Sequence, residues 1–378
     1  VKHEKVEELM DKLVQWRFPP AGRIFTAGSK WTFGREPILR RMPNGDLYCL
    51  IYSGGDREPS PTNVVLGTRS SDDGHTWSEP EVLWSLQDRA LWATELFTEA
   101  EQPFAVFQTF LYETHYFEIQ AFLARTNDSG RTWESPISIP GVPANFSVRQ
   151  GKVLSDGSWV FPVYWCEVQG HWDHRFDLDA NSLNDRRDWR FVSGMIRSVD
   201  QGRSFSLHGS FSGDTNLWEP EVIEAEPGHL IMFIRPCLQP VLWRADSFDY
   251  GLSWSDAKPT DIPTSGSKIV SFKINDKILL LNNTDSQLWV RRQLDLWISS
   301  DGAETWERKI SLARIPDGCP ARQVAYPHGF ADDDQQMLYL AVDTINEFEL
   351  LKIPYSALCE AQVAIPEDDI SRSSGCGL

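Results

Sequence analysis

Ser70-Ser71-Asp72-Asp73-Gly74-His75-Thr76-Trp77 is the stretch on which the fold turns. Its pattern, Ser/Thr-x-Asp-x-Gly-x-Thr/Ser-aromatic, returns at Thr126 to Trp133, Ser198 to Phe205 and Ser247 to Trp254. A fifth, degenerate copy runs from Ser299 to Trp306, with Ala303 in place of the glycine and Gly302 just before it. Each copy has the chemistry of a tight hairpin turn. The Asp carboxylate accepts hydrogen bonds from turn amides, and the glycine supplies a positive φ. The aromatic ring then tucks between neighbouring strands. An apolar run precedes each copy, as in Val64-Val65-Leu66 and Leu294 to Ile298. The copies recur about every 50 to 70 residues, the spacing of four-stranded propeller blades. An all-β propeller of six blades is predicted, with one blade lacking the turn. The turn carboxylates are expected to be scaffold on the outer edge, facing away from any central pocket.

The 378 residues suffice for one large all-β domain with a substantial core. A hydrophobic content of 41% excludes a disordered chain. The formal net charge of -18 disfavours nucleic acid and anionic membrane as partners. An anionic ligand would therefore need isolated arginines that reverse the field locally. The cysteines, Cys49, Cys166, Cys237, Cys319, Cys359 and Cys376, include no C-x-x-C pair, so zinc-ribbon and thioredoxin-type readings have no support. Residues 1–20 are read as a helical extension, because Val6, Leu9, Met10, Leu13 and Val14 fall at helical spacing. Residues 21–360 are read as the propeller and 361–378 as a polar tail. No charged-then-apolar leader or long apolar span is visible, so a soluble protein is expected, with the cytoplasm favoured over secretion.

The repeated turn is the Asp-box, and with the arginines below the chain resembles the sialidase superfamily of BNR-repeat propellers. That family cleaves a terminal sugar bearing a carboxylate. The resemblance implies three arginines for the carboxylate, a tyrosine nucleophile, a carboxylate to activate it and an acid for the leaving group. Arginine suits the first role because its planar fork grips a carboxylate bidentately and stays charged. Arg35 in Gly34-Arg35-Glu36-Pro37 looks like the first arginine. Glu219 in Trp218-Glu219-Pro220-Glu221 looks like the activating carboxylate, and Arg235, which ends Leu230 to Ile234, like the second arginine. Arg291 fits the third, with Arg292 as its neighbouring alternative. Tyr326 in Val324-Ala325-Tyr326-Pro327 is similar to the nucleophile.

The acid/base position departs from the family. Its loop is Ser53 to Ser60, in which Asp56 is the first candidate and Glu58 the second. Pro327 follows the tyrosine where the family often has Ser, and His328 beside it is a possible proton donor. A separate cluster of His171, Asp173, His174, Asp177 and Asp179 is read as a surface or pocket-rim loop rather than a metal site. Asn145-Phe146-Ser147 matches a glycosylation sequon, meaningful only in a secreted eukaryotic setting.

The resemblance thus implies an exo-acting retaining glycoside hydrolase for sialic acid or a related acidic sugar. It needs no metal or organic cofactor. Two alternatives stay open: an enzyme for another acidic sugar, such as a uronate, and a non-catalytic glycan-binding propeller. Fold does not decide between them.

Overall fold

The computed structural model of the chain describes residues 14–55, 58–111, 119–168, 189–316 and 323–359. The second-strand segments read as nearly continuous apolar runs, and each is covered on both faces. Leu47–Ser53 is buried at every position. Such short runs bounded by turns are the signature of fully buried strands.

The strands form six antiparallel sheets. Blade one comprises Gly34–Arg41, Leu47–Ser53, Val64–Ser70 and Glu81–Trp84. Blade two comprises Ala90–Phe97, Phe104–Phe110, Gln120–Arg125 and Ile137–Ser138. In blade three the inner strand is broken into Ser147–Val148 and Lys152–Val153, both pairing with Trp159–Val168, followed by Trp189–Ser198 and Ser206–Phe211. Blade four comprises Leu217–Glu226, His229–Pro236, Val241–Ser247 and Lys258–Pro263. Blade five comprises Val270–Ile274, Lys277–Asn283, Gln293–Ser299 and Arg308–Arg314. Blade six takes Ala325–Asp332, Met337–Asp343 and Glu347–Pro354, and its outer strand is Gly22–Thr26. First strands of successive blades touch round a closed ring, blade three meeting blade four through Lys152 and Glu221, so they line the axis.

The early strands latch the ring. Gly22–Thr26 pairs with Glu347–Pro354, and Arg23 Nη2 donates to Glu349 across that seam at 2.8 Å. Gln15–Trp16 adds a fifth strand to blade five, opposite Ala313 and Arg314. Of the segment read as a helical extension, residues 1–13 lie outside the described residues, and the part from Val14 joins the propeller as strand. Val14 packs in the core between blades five and six, so burial of its face and pairing with an open edge override helical spacing there. The tail 361–378 also lies outside the described residues. One short helix, Tyr355–Cys359, follows the last strand. No helix among the described residues is long and apolar enough to cross a membrane.

Each Asp-box joins the third and fourth strands of its blade. Asp72 Oδ1 accepts from Ser70 Oγ at 2.7 Å and from the Thr76 amide at 2.9 Å, while Oδ2 accepts from Thr76 Oγ1 at 2.5 Å. The same set recurs at Asp128, Asp200, Asp249 and Asp301. These carboxylates are consumed by their own turns. Blade six has no box for a topological reason: its third and fourth strands come from opposite ends of the sequence and share no hairpin.

First strands of neighbouring blades do not pair by backbone, so side chains tie the axis. Arg40 Nη2 meets Glu95 at 2.9 Å, and Glu95 Oε2 accepts from the Gly151 amide at 2.8 Å. Lys152 Nζ lies 3.1 Å from Glu221, which accepts from the Ser271 amide at 2.9 Å. These links stitch blades one to two to three, and three to four to five.

Candidate active site

Three first strands share one irregularity. Glu36-Pro37, Glu219-Pro220 and Tyr326-Pro327 each sit at a register shift with the second strand. The residue before each proline has a positive φ: 48° at Glu36, 45° at Glu219 and 48° at Tyr326. Non-glycine residues held there cost about 1–3 kcal/mol each and cluster at functional sites. A bulge interrupts the ladder and re-aims a side chain, and proline brings no amide to leave unpaired at the interruption.

The tyrosine is the centre of the cluster. Arg35 Cζ lies 5.4 Å from the Tyr326 ring centroid and Arg291 Cζ lies 4.8 Å from it. Arg235 lies within electrostatic reach of the same phenol. It is clamped between indoles, 4.9 Å from the Trp218 ring and 5.2 Å from that of Trp289. Positions 35, 235 and 291, remote in sequence, therefore converge. Arg35 Nε donates to Asp343 Oδ2 at 2.7 Å, and Arg291 Nη2 donates to the Gly266 carbonyl at 2.8 Å. Arg235 Nε and Arg291 Nε have no hydrogen-bond partner among the described residues. Arg292 turns elsewhere: its guanidinium donates to the Pro316 carbonyl and its amide to Asp285.

Glu219 takes its hydrogen bond from Arg235 Nη1, and no hydrogen bond joins it to Tyr326 among the described residues. A buried guanidinium is a stronger partner for a carboxylate than a neutral phenol. Burial pushes the Glu219 carboxyl up, but Arg235, Arg149 and Arg291 outweigh it and hold it below its usual value. Burial raises Tyr326, with Arg291 and Arg235 acting against it.

Three further ionisable groups reach this pocket. Glu36, Arg149 and Lys268 are all buried, and Arg149 Nη1 stands 4.0 Å from Glu36 Oε2. Burial holds Lys268 down at about 8. Sequence reading missed all three. For Glu36 the signal was present, since Glu36-Pro37 repeats the pattern of Glu219-Pro220 and Tyr326-Pro327. Arg149 sits in the break of the inner strand of blade three, where no such dipeptide marks the position.

Asp56 lies outside the described residues, as does the whole His171 to Asp179 cluster. Glu58, two residues on, is half-buried beside the arginines. Burial, opposed by Arg35, pushes its carboxyl up to about 7. His328 is no proton donor to this pocket. It is fully buried on the axis, and its Nδ1 accepts from the Leu39 amide at 3.2 Å. Burial first, then Arg40, keeps the ring neutral.

A family model described as a BNR repeat-like domain matches residues 45–339. A sialidase of Bacteroides fragilis is 26% identical over 208 residues, 51% of this chain and 34% of the relative. The chain thus spans about a third of that protein's length. Among solved structures, the Hadza microbial sialidase Hz136 aligns with a TM-score of 0.65 at 18% identity, covering 85% of this chain and 66% of its own. A protein of unknown function from Dyadobacter fermentans aligns with a TM-score of 0.66 at 13% identity, covering 90% of this chain and 99% of its own. With the six blades, the five Asp-box turns and the matched span together, the chain belongs to the BNR repeat-like domain family of the sialidase superfamily.

Proposed function

We propose that the protein is an exo-acting, retaining glycoside hydrolase of the sialidase type that releases a terminal carboxylate-bearing sugar. The observation that carries this reading is the gathering of Arg35, Arg235 and Arg291 around Tyr326. Three guanidinium groups in one buried pocket of a strongly acidic protein are matched to an anionic ligand.

Tyr326 attacks the anomeric carbon and Glu219 takes its proton. A neutral nucleophile avoids the repulsion that a carboxylate would feel beside the substrate's own carboxylate. The nearby guanidinium charges stabilise the phenolate as it develops. Glu58 protonates the leaving oxygen and then activates water, because a carboxyl titrating at about 7 exchanges protons readily near neutrality. Asp56 of the same loop is the competing candidate. The substrate is sialic acid or a related acidic sugar on a glycan.

The Glu219–Arg235 pair favours one second reading. A base engaged with a guanidinium and a phenol left unactivated would suit a glycan-binding propeller without turnover. A fluorinated sialosyl inactivator separates the two. Labelling of the Tyr326 peptide, together with hydrolysis of an aryl sialoside that Tyr326→Phe abolishes, supports the enzyme. Binding of acidic glycans with no turnover by either protein supports the lectin-like reading.

A further inference from the structure

Trp289 belongs to the turn before the third strand of blade five, and it is 48% exposed. Core burial therefore does not account for it. Its backbone is left-handed, at φ 68°, a region that a bulky residue occupies only under constraint. Two hydrogen bonds supply the constraint. The Trp289 amide donates to the Ser265 carbonyl at 2.6 Å, and the Val290 amide donates to the Gln287 carbonyl at 3.2 Å. Gly266 lies beside the ring: a Cβ built there would stand 3.8 Å from the indole and 3.9 Å from Arg235 Nη2. Its carbonyl accepts from Arg291 Nη2 at 2.8 Å. The Ser265-Gly266 segment thus stands against the indole and both arginines.

The ring meets two cations. Arg235 Cζ lies 5.2 Å and Arg291 Cζ 5.9 Å from its centroid. Trp218 stands nearly perpendicular to it, at 87° with 6.4 Å between centroids, and meets Arg235 at 4.9 Å. The two guanidinium groups flank the phenol of Tyr326 and repel each other. Glu219 neutralises Arg235, whereas the recorded hydrogen bond of Arg291 runs to a neutral carbonyl. Unopposed, two long side chains of like charge would spread. A carboxylate would then have to order them as it binds, at a cost in affinity. An indole face attracts cations within about 6 Å of its centroid, most strongly in a desolvated site. One ring in contact with both arginines offsets their repulsion and sets their separation.

We propose that Trp289 is a positioning residue of the carboxylate site, whose indole holds Arg235 and Arg291 at a fixed separation so that both meet one substrate carboxylate. This rests on the carboxylate site proposed above. It makes the π face of Trp289, acting through the two arginines, a determinant of affinity for the charged group alone.

The test uses calorimetric titration with two probes: N-acetylneuraminic acid, and its methyl ester, which keeps the ring and its substituents but loses the charge. The wild type is expected to prefer the acid. Trp289→Leu, which removes the π face, is expected to weaken binding of the acid about tenfold while leaving the ester within about twofold. Trp289→Phe, which restores a π face, recovers most of the acid affinity. Should Trp289→Leu fail to fold, Trp289→Met carries the same comparison. Equal weakening of acid and ester means that the ring touches the sugar itself, and overturns the positioning role. So does weakening of neither, or a Phe variant as poor as the Leu variant. Arg291→Met distinguishes failure of the underlying reading. If the wild type prefers the acid and Arg291→Met keeps that preference in full, the carboxylate site is wrong. If the wild type shows no preference, or binds neither probe, both proposals fall.

Discussion

Arg235 Nη1 donates to Glu219 Oε2, with the guanidinium clamped between the indoles of Trp218 and Trp289. The pair joins the ends of two adjacent strands of blade four and is almost wholly buried. Removing one partner of such a pair strands the other's charge and costs about 3–5 kcal/mol. Arg235→Met is therefore expected to lose about that much in urea denaturation, along with binding of acidic sugars. The double variant Arg235→Met/Glu219→Gln recovers most of the stability and none of the binding. Arg291 is different, since its recorded hydrogen bond runs to one carbonyl, Gly266. Arg291→Met is expected to cost about 1 kcal/mol while raising KM strongly.

The raised Glu58 carboxyl has two consequences of opposite use. As an acid it must be protonated, so kcat falls as pH rises through about 7. Its folded pKa stands above its unfolded value, so its contribution to stability is complete below the usual glutamate range and is lost as pH rises through about 7. Glu58→Gln is expected to slow hydrolysis of a poor leaving group by about 10²–10⁴-fold, to remove that alkaline limb and to spare stability at pH 8. Asp56→Asn changing the profile in place of Glu58→Gln would move the role to Asp56. A pH–rate series on both variants decides.

The axial pair of Arg40 and Glu95 is scaffold. Burial opposes ionisation of Glu95, but Arg40, His328 and the Gly151 amide bring its carboxyl down to about 2. A depressed folded pKa means that the stabilisation is present above the unfolded value and lost as pH falls toward 2. Arg40→Met is expected to destabilise by about 3–5 kcal/mol without altering carboxylate binding in the surviving folded fraction. Chemical denaturation across pH 3 to 7 checks both the loss and its sign.

The Asp-box glycine is required at Gly74 and dispensable at its fifth counterpart. A Cβ on Gly74, at φ 90°, would stand 2.2 Å from Leu350 Cδ2. Gly74→Ala is expected to cost about 2–4 kcal/mol through the left-handed backbone and overpacking together. Ala303 already occupies φ 63°, and it is buried in the core cluster between blades four and five. In Ala303→Gly, relief of that backbone and loss of about 0.8 kcal/mol of methyl burial nearly cancel. Thermal midpoints of the two variants should therefore diverge clearly.

The blades were legible because their information is local. Ser70, Asp72, Gly74 and Thr76 satisfy one another within a single turn, so the octapeptide carries its own structure wherever it stands. The absence of a sixth copy was legible as a count, but its cause was not. It lies in the pairing of Gly22–Thr26 with Glu347–Pro354, a contact between opposite ends of the chain.

The sequence by itself determined the repeat and the order of Arg35, Glu219, Arg235, Arg291 and Tyr326 along the chain. Only the tertiary structure decided that Arg291 and not Arg292 faces the tyrosine, that His328 belongs to the buried axis, and that Glu219 is held by Arg235. It also brought in Arg149 and Lys268, which no motif marks. The pocket is assembled from one or two residues contributed by each of several blades, most of them far apart in sequence. Short-range pattern fixes each strand's face, but the bulges at Glu36, Glu219 and Tyr326 re-aim side chains against the simple alternation of the pleat. Which charges then meet depends on the closure of the ring, a property of all six blades at once.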